Sequence, residues 1–151
     1  MGFIPKGARW YLAGLMLEHT IEGDARNVVH VNTHLIEADS PEEAYQKANA
    51  LGRRGEMEYA NTDGKPVRVA FRGLRDLDVI HDELEDGAEL FFEECVGIPE
   101  DDLAGWVKPK EELAVFAPRP VRSDRPNYLP EEFADLLLLD AEGISPPVDE
   151  I

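Results

Sequence analysis

Alternation of apolar and polar positions predicts two long strands at the start of the chain. Residues 10–17 are apolar at nearly every position, which is typical of a strand buried on both faces in the centre of a sheet. A turn at 23–26 separates this run from a second one over 27–39, which is rich in β-branched residues. The short connection predicts that the two strands pair as an antiparallel hairpin.

The stretch SPEE at 40–43 is the clearest helix start in the chain. Its serine suits the N-cap, its proline suits the first helical position, and its last glutamate closes a capping box. Apolar residues then recur at helical spacing over 44–51, and Gly52 or Gly55 ends the helix.

The segment EYANTDGKPVRVAF, at 58–71, predicts a strand, a tight turn and a second strand. The turn falls at 62–65, where Gly64 supplies the positive φ that a tight hairpin turn requires. A β-strand alone explains the alternation of apolar and polar residues after the turn, so no bound ligand is needed to account for it. Tyr59 and Asn61 are the side chains that would face a cleft, but the pattern favours a structural role for them.

A final strand is predicted over 88–96, just after Gly87, and a short helix over 99–107. The resulting order is β-β-α-β-β-β. It predicts an α+β fold, in which one main helix packs on a face of a curled antiparallel sheet of about five strands.

The composition changes after Lys110, so two regions are predicted: an α+β domain over 1–110 and an acidic, proline-rich C-terminal arm over 111–151. The arm contains one helical candidate at 129–144. We expect it to wrap around its own domain or a second copy, which favours a homo-oligomer. The apolar stripe of that helix consists of Phe133, Leu136 and Leu137.

A length of 151 residues fits one domain, and a hydrophobic content of 43% is enough for a core. No apolar run approaches the roughly 20 residues that span a bilayer, and the first residues lack a signal-peptide pattern. Cys95 is the single cysteine, so no internal disulfide is predicted. These features predict a cytoplasmic protein that does not contact membranes.

Charge is the strongest compositional signal, since 32 acidic and 15 basic residues give a net charge of −17. Such a field repels nucleic acid but attracts a basic protein. Residues 76–102 contain twelve carboxylates and no lysine or arginine. This run is either a solvated acidic face or a docking surface. The candidate contact residues within it are Asp82, Glu83, Glu85, Asp86, Glu93 and Glu94.

No catalytic residue and no cofactor are predicted. Ser40 is used as a helix cap, and carboxylates beside Cys95 disfavour its thiolate. A calcium-loop match that starts at Asp82 fails at Leu84, where an oxygen ligand is required. No glycine-rich phosphate loop is present.

Two histidines are the remaining candidates for chemistry. If the first hairpin turns at 23–26, His19 is expected to face His30 across the strand pair. Such a pair binds a metal or titrates jointly in some proteins, and in others it is only polar surface.

Four short motifs resemble those of an uncharacterised bacterial family, the domain of unknown function numbered 4288. They are Trp10-Tyr11, EADSPEEAYQKA, EYANTDGKPV and LEDGAELFFEE, spread over residues 9–94. The resemblance implies a small bacterial intracellular domain of one sheet and one helix. The family has no catalytic residues to carry over, and the C-terminal arm departs from its pattern.

Two functional hypotheses follow. The leading one is a non-enzymatic interaction module, in one version an immunity-like protein that masks a basic toxin by charge complementarity. The alternative is a metal-binding protein or small-molecule enzyme that uses His19, His30 and nearby carboxylates. It predicts that these side chains converge in a concave pocket.

Overall fold

In the computed structural model of the chain, residues 7–118 and 124–133 are described. Four strands form one antiparallel sheet: β1 (Trp10–Ile21), β2 (Val28–Glu37), β3 (Met57–Ala60) and β4 (Pro66–Val79). Their order across the sheet is β2-β1-β4-β3. The strand predicted to be central, β1, therefore does lie between two neighbours, and β2 and β3 form the edges.

Helix α1 (Pro41–Arg54) begins and ends where its sequence signals predict. The Ser40 hydroxyl accepts a hydrogen bond from the Glu43 N–H at 3.1 Å. The Glu43 carboxylate accepts one from the Asp39 N–H at 3.4 Å. Gly55 is the C-cap residue, and its N–H donates to the Gly52 carbonyl. Local chemistry alone thus sets both ends of this helix.

Helix α1 packs on one face of the sheet, so the predicted α+β architecture is confirmed. Gly52 allows the close approach, because a Cβ atom at this position would lie 2.3 Å from Cε1 of Phe71 on β4. The buried residues at this contact are Tyr11, Ala13, Leu15, Ile36, Ala38, Ala44 and Ala48.

The opposite face of the sheet, which we call the open face, has no described helix over it. Three apolar side chains of β2 project there, Val29, Val31 and Leu35, and they are 38 to 46% exposed. Val31 pairs with Met16 of β1, and Leu35 pairs with Leu12. Apolar side chains of two adjacent strands therefore meet on the open face.

The pairing of β1 with β4 shifts register between Gly14 and Leu15 and again between Met16 and Leu17. Gly73, within this irregular part of β4, has a φ of 125°. Register shifts of this kind bend a strand pair and increase its twist. They accompany the curl of the sheet. Strand β4 continues past them to Val79, beyond the end of the predicted hairpin.

The fifth strand predicted over Ala88–Val96 is not formed; this segment is irregular. Its residues favour an extended backbone, but a strand also needs a hydrogen-bonded neighbour. Strand β1 is already paired on both sides, with β2 and β4, and no described strand pairs with 88–96. The sheet therefore has four strands.

The chain divides into two compact units. Of the described residues, one unit holds 7–92 and 126–133, and the other holds 93–118 and 124–125. The second unit contains helix α2 (Glu100–Trp106), which confirms the predicted short helix, and a 3-10 helix at Lys110–Glu112. The boundary after Lys110 stays a prediction. No helix of the described residues is long and apolar enough to cross a membrane.

Candidate functional site

The two candidate histidines do meet, but in a different register from the predicted one. His19 pairs with Val28, and Leu17 pairs with His30, so the predicted register is wrong by two residues. The hairpin is centred between Gly23 and Asp24, one residue earlier than predicted, and the Asp24 N–H donates to the Ile21 carbonyl at 3.1 Å in a turn at 21–24. His19 and His30 are consequently diagonal neighbours on one face of the sheet, and their ring centroids lie 4.6 Å apart.

Tyr128 packs on this histidine pair. Its ring centroid lies 5.4 Å from that of His19 and 4.9 Å from that of His30. His19 is only 8% exposed, and no described residue forms a hydrogen bond with its buried Nδ1. Among the described residues, no group of three histidine, cysteine, aspartate or glutamate side chains is placed to hold a metal ion. The arrangement is therefore a packed aromatic cluster.

Burial lowers the pKa of His19 below its ordinary value of 6.5, and the neighbouring His30 lowers it further. The unfolded chain takes up a proton on His19 near this ordinary pKa, whereas the folded ring resists protonation. We expect this group to lower the free energy of unfolding progressively as the pH falls below about 6.5. Above that pH it makes no pH-dependent contribution.

Replacement of His19 by phenylalanine should therefore reduce the loss of stability between about pH 7.5 and pH 5.5. Urea titrations of wild type and His19→Phe at the two pH values measure the difference. Asn32→Leu, on the same sheet face, removes no titratable group, so it is the matched control and should keep the wild-type loss. An unchanged loss in His19→Phe would show that other groups cause the pH dependence.

A return segment, residues 126–133, lies against the tip of the β3–β4 hairpin. The Tyr59 hydroxyl donates to the Tyr128 carbonyl, and the Thr62 N–H donates to the Leu129 carbonyl at 3.0 Å. Burial raises the pKa of Tyr59, with a smaller contribution from Tyr128. Asn127 and Tyr128 are the contact residues that the sequence did not indicate, because they lie more than 60 positions from their partners.

Asn61 connects this hairpin tip to the return segment. Its Oδ1 accepts from the N–H groups of Asp63 at 2.9 Å and Lys65 at 2.8 Å, which closes the turn. Its Nδ2 donates to the Asn127 carbonyl at 2.9 Å. The residue is 1% exposed, so Asn61 has the structural role that the sequence favoured.

The acidic candidates are exposed, but they do not all belong to one unit. Four of them, Asp82, Glu83, Glu85 and Asp86, form an exposed loop after β4, which we call the acidic loop. The Asp82 carboxylate accepts a hydrogen bond from the Glu89 N–H at 3.0 Å. Glu93 and Glu94 are exposed in the second unit. None of the six carboxylates forms an ion pair with a described residue. Their contact role stays a prediction.

A further carboxylate pair lies near the end of β4. Burial raises the pKa of Asp78, and the neighbouring Asp76 raises it further by charge repulsion and a side-chain hydrogen bond. Asp78 pairs with Leu12 and Asp76 pairs with Gly14, so both carboxylates lie at the open face. The sequence contained no specific signal for this pair because acidic residues surround it.

The apolar stripe of the arm cannot be placed as a unit. Leu136 and Leu137 lie outside the described residues, and the backbone of Phe133 ends a 3-10 helix at Glu131–Phe133. Self-association through the arm therefore stays a prediction. Cys95 is exposed.

A shallow groove, which we call the α1–β2 groove, has a volume of about 440 Å³. Ile36 and Leu51 contribute its apolar lining, and Lys47 and Arg54 contribute two positive charges. Leu35, whose side chain lies on the open face, also borders the groove. A second shallow cavity of about 290 Å³ lies between the end of β1 and the start of β4. His19 and His30 line neither of these two cavities.

Comparison with known proteins identifies a family but no characterised relative. No curated protein and no solved structure matches the chain. The model of one family, described as Domain of unknown function (DUF4288), matches residues 10–92. This match includes the whole sheet and α1, and it covers more than half of the chain. The chain therefore belongs to the DUF4288 family.

Proposed function

We propose that this chain is a non-enzymatic protein-interaction module. The observation that carries the proposal is the open face, where Val29, Val31 and Leu35 of the edge strand β2 are exposed. Apolar side chains grouped on a sheet face are more typical of a contact surface than isolated exposed ones. The helix already covers the other face, so the open face is the surface that a partner would cover.

The module also contacts a basic protein through the acidic loop. Its four carboxylates are exposed and form no ion pair with a described residue. The net charge of −17 attracts a cationic protein over a long range, and the loop supplies the local contact. An immunity-like protein that masks a basic toxin is one form of this role.

The histidine cluster gives less support to the enzyme alternative. Tyr128 packs on the two rings, and neither described cavity reaches them. The nearby carboxylates that a metal site would require do not join His19 and His30 in the described part of the chain. The cluster instead joins the return segment to the sheet.

Titration with a cationic protein at low and moderate salt tests the contact through the acidic loop. Neutralising the loop should weaken binding at least about tenfold, because the contact charges are removed. A control variant loses equal charge elsewhere and should bind within about threefold of wild type. Equal weakening in both variants would show that only net charge matters and would contradict the loop contact. The loop variant is D82N/E83Q/E85Q/D86N, and the control variant is E22Q/E58Q/E111Q/E112Q.

A further inference from the structure

We infer that residues 88–96 of one copy pair with β2 of a second copy and extend its sheet by a fifth strand. The same exchange in the opposite direction gives a closed, two-fold dimer. This inference rests on the proposed function, since it names the partner of the open face and its edge.

Strand β2 offers a full-length free edge. It has ten residues and lies at the end of the sheet, with β1 as its neighbour. No described residue pairs with its outer side, so alternate N–H and C=O groups face outwards. Such an edge is a template for another strand unless it is short, covered or charged.

Residues 88–96 have the composition of a strand, but no strand in the described part of the chain pairs with them. Leu90, Phe91, Phe92 and Val96 are 47 to 85% exposed. Nine extended residues span about 30 Å, close to the length of β2. The segment thus matches the free edge in length and leaves large apolar side chains uncovered.

Alternation along the segment matches the two sides of β2. In an extended backbone, Leu90, Phe92 and Val96 project to one side together with Glu94, so three of its four large side chains are apolar. Glu89 and Glu93 project to the other side together with Phe91. The apolar side would lie next to Val29, Val31 and Leu35 on the open face. The acidic side would then lie on the helix-covered side of β2, at the α1–β2 groove.

The groove supplies the complementary charge. Lys47 and Arg54 line it, and neither forms an ion pair with a described residue. The Lys47 Nζ donates to the Glu37 carbonyl at 2.5 Å, which holds the charge at the end of β2. Antiparallel addition, as in every other pair of this sheet, brings Glu89 to this end. Two cations beside a free edge favour an acidic strand.

A second copy is favoured over the same copy by the turn that precedes the segment. The Ala88 N–H donates to the Glu85 carbonyl at 3.0 Å, and the Glu89 N–H donates to the Asp82 carboxylate at 3.0 Å. These bonds shorten the connection from β4. In this conformation the segment is not paired with the edge of its own copy, whereas a second copy can bind it without changing these bonds.

Light scattering coupled to size exclusion on the full-length chain tests this assembly. Wild type should be a dimer, and both Phe92→Glu in the segment and Leu35→Glu at the edge should raise its dissociation constant about a hundredfold. Val115→Glu is the matched control, because Val115 is 84% exposed and lies outside the segment. It should remain a dimer. Phe92 is exposed, so its variant should fold even if Leu35→Glu does not.

Mixing the two variants distinguishes a second copy from pairing within one chain. The Phe92→Glu chain keeps its edge, and the Leu35→Glu chain keeps its segment, so the mixture should form a heterodimer through one intact contact. Native mass spectrometry detects it. A dimer that survives Phe92→Glu would place the interface elsewhere, and a wild type that stays monomeric would also overturn the inference.

A charge exchange tests the predicted alignment. Lys47→Glu should weaken the dimer at least about tenfold, and adding Glu89→Lys should recover much of the loss. If the chain is monomeric but still binds the cationic protein through its acidic loop, the dimer inference fails and the proposed function stands. If that binding also fails and nothing covers the open face, both proposals fail.

Discussion

Replacement of Asn61 by alanine should lower the free energy of unfolding by about 3 kcal/mol. The substitution removes three hydrogen bonds from a side chain that is 1% exposed. It leaves the N–H groups of Asp63 and Lys65 and the Asn127 carbonyl without their partner. These three hydrogen bonds are part-buried, and each bond of this kind contributes about 1 kcal/mol. Urea denaturation, monitored by circular dichroism, measures the total loss in the free energy of unfolding.

Asn49→Ala is the matched control for this prediction. The Asn49 Nδ2 makes a single hydrogen bond, to the Tyr45 carbonyl within α1. Its loss should change stability by less than about 0.5 kcal/mol. Hydrogen exchange adds a local readout, because the Thr62 N–H donates to the Leu129 carbonyl and should exchange faster in Asn61→Ala. A loss below about 1 kcal/mol would mean that water replaces the side chain.

The sequence predicted the parts of the fold that local chemistry determines. The cap residues Ser40 and Glu43 fix the start of α1, and Gly64 fixes the tip of the β3–β4 hairpin. The central place of β1 followed from its apolar character on both faces. Each of these features depends on residues only a few positions apart, so a single sequence contains the whole signal.

Long-range features were harder to predict. The first hairpin turns one residue earlier than expected, which moved the register by two residues and made His19 and His30 diagonal neighbours. Nothing local to Tyr128 indicates that its ring packs on them. Residues 88–96 have strand-forming composition, yet composition does not specify a neighbour. In the proposed dimer, this segment would become the fifth strand that its sequence predicts.

The open edge and the acidic loop have opposite electrostatic characters. The α1–β2 groove presents Lys47 and Arg54, whereas the acidic loop presents carboxylates that have no ion pair with described residues. One surface therefore suits an acidic strand and the other suits a basic protein. Neutralising the acidic loop substitutes no residue of 88–96, and D82N keeps a side-chain oxygen that can accept from the Glu89 N–H. The two contacts can therefore be tested separately.

Replacement of Gly52 by alanine should lower the free energy of unfolding by about 2 kcal/mol, although alanine favours helix more than glycine does. The new Cβ would lie 2.3 Å from Cε1 and 2.5 Å from Cδ1 of Phe71. Non-bonded carbon atoms cannot approach so closely, so either the Phe71 ring or helix α1 must move. Either movement disturbs the contact that holds α1 on the sheet. Thermal and urea denaturation measure the loss.

Two further variants separate this clash from other effects of alanine. Gly105→Ala, in α2, places a Cβ where no described atom outside its own helix lies within 4 Å, so it should not destabilise the chain. Phe71→Leu should cost stability alone but less in the Gly52→Ala background, since the smaller side chain relieves the clash. The coupling between the two substitutions is thus expected to be favourable. Additive losses, or a Gly52→Ala variant as stable as wild type, would mean that α1 does not depend on close contact with Phe71.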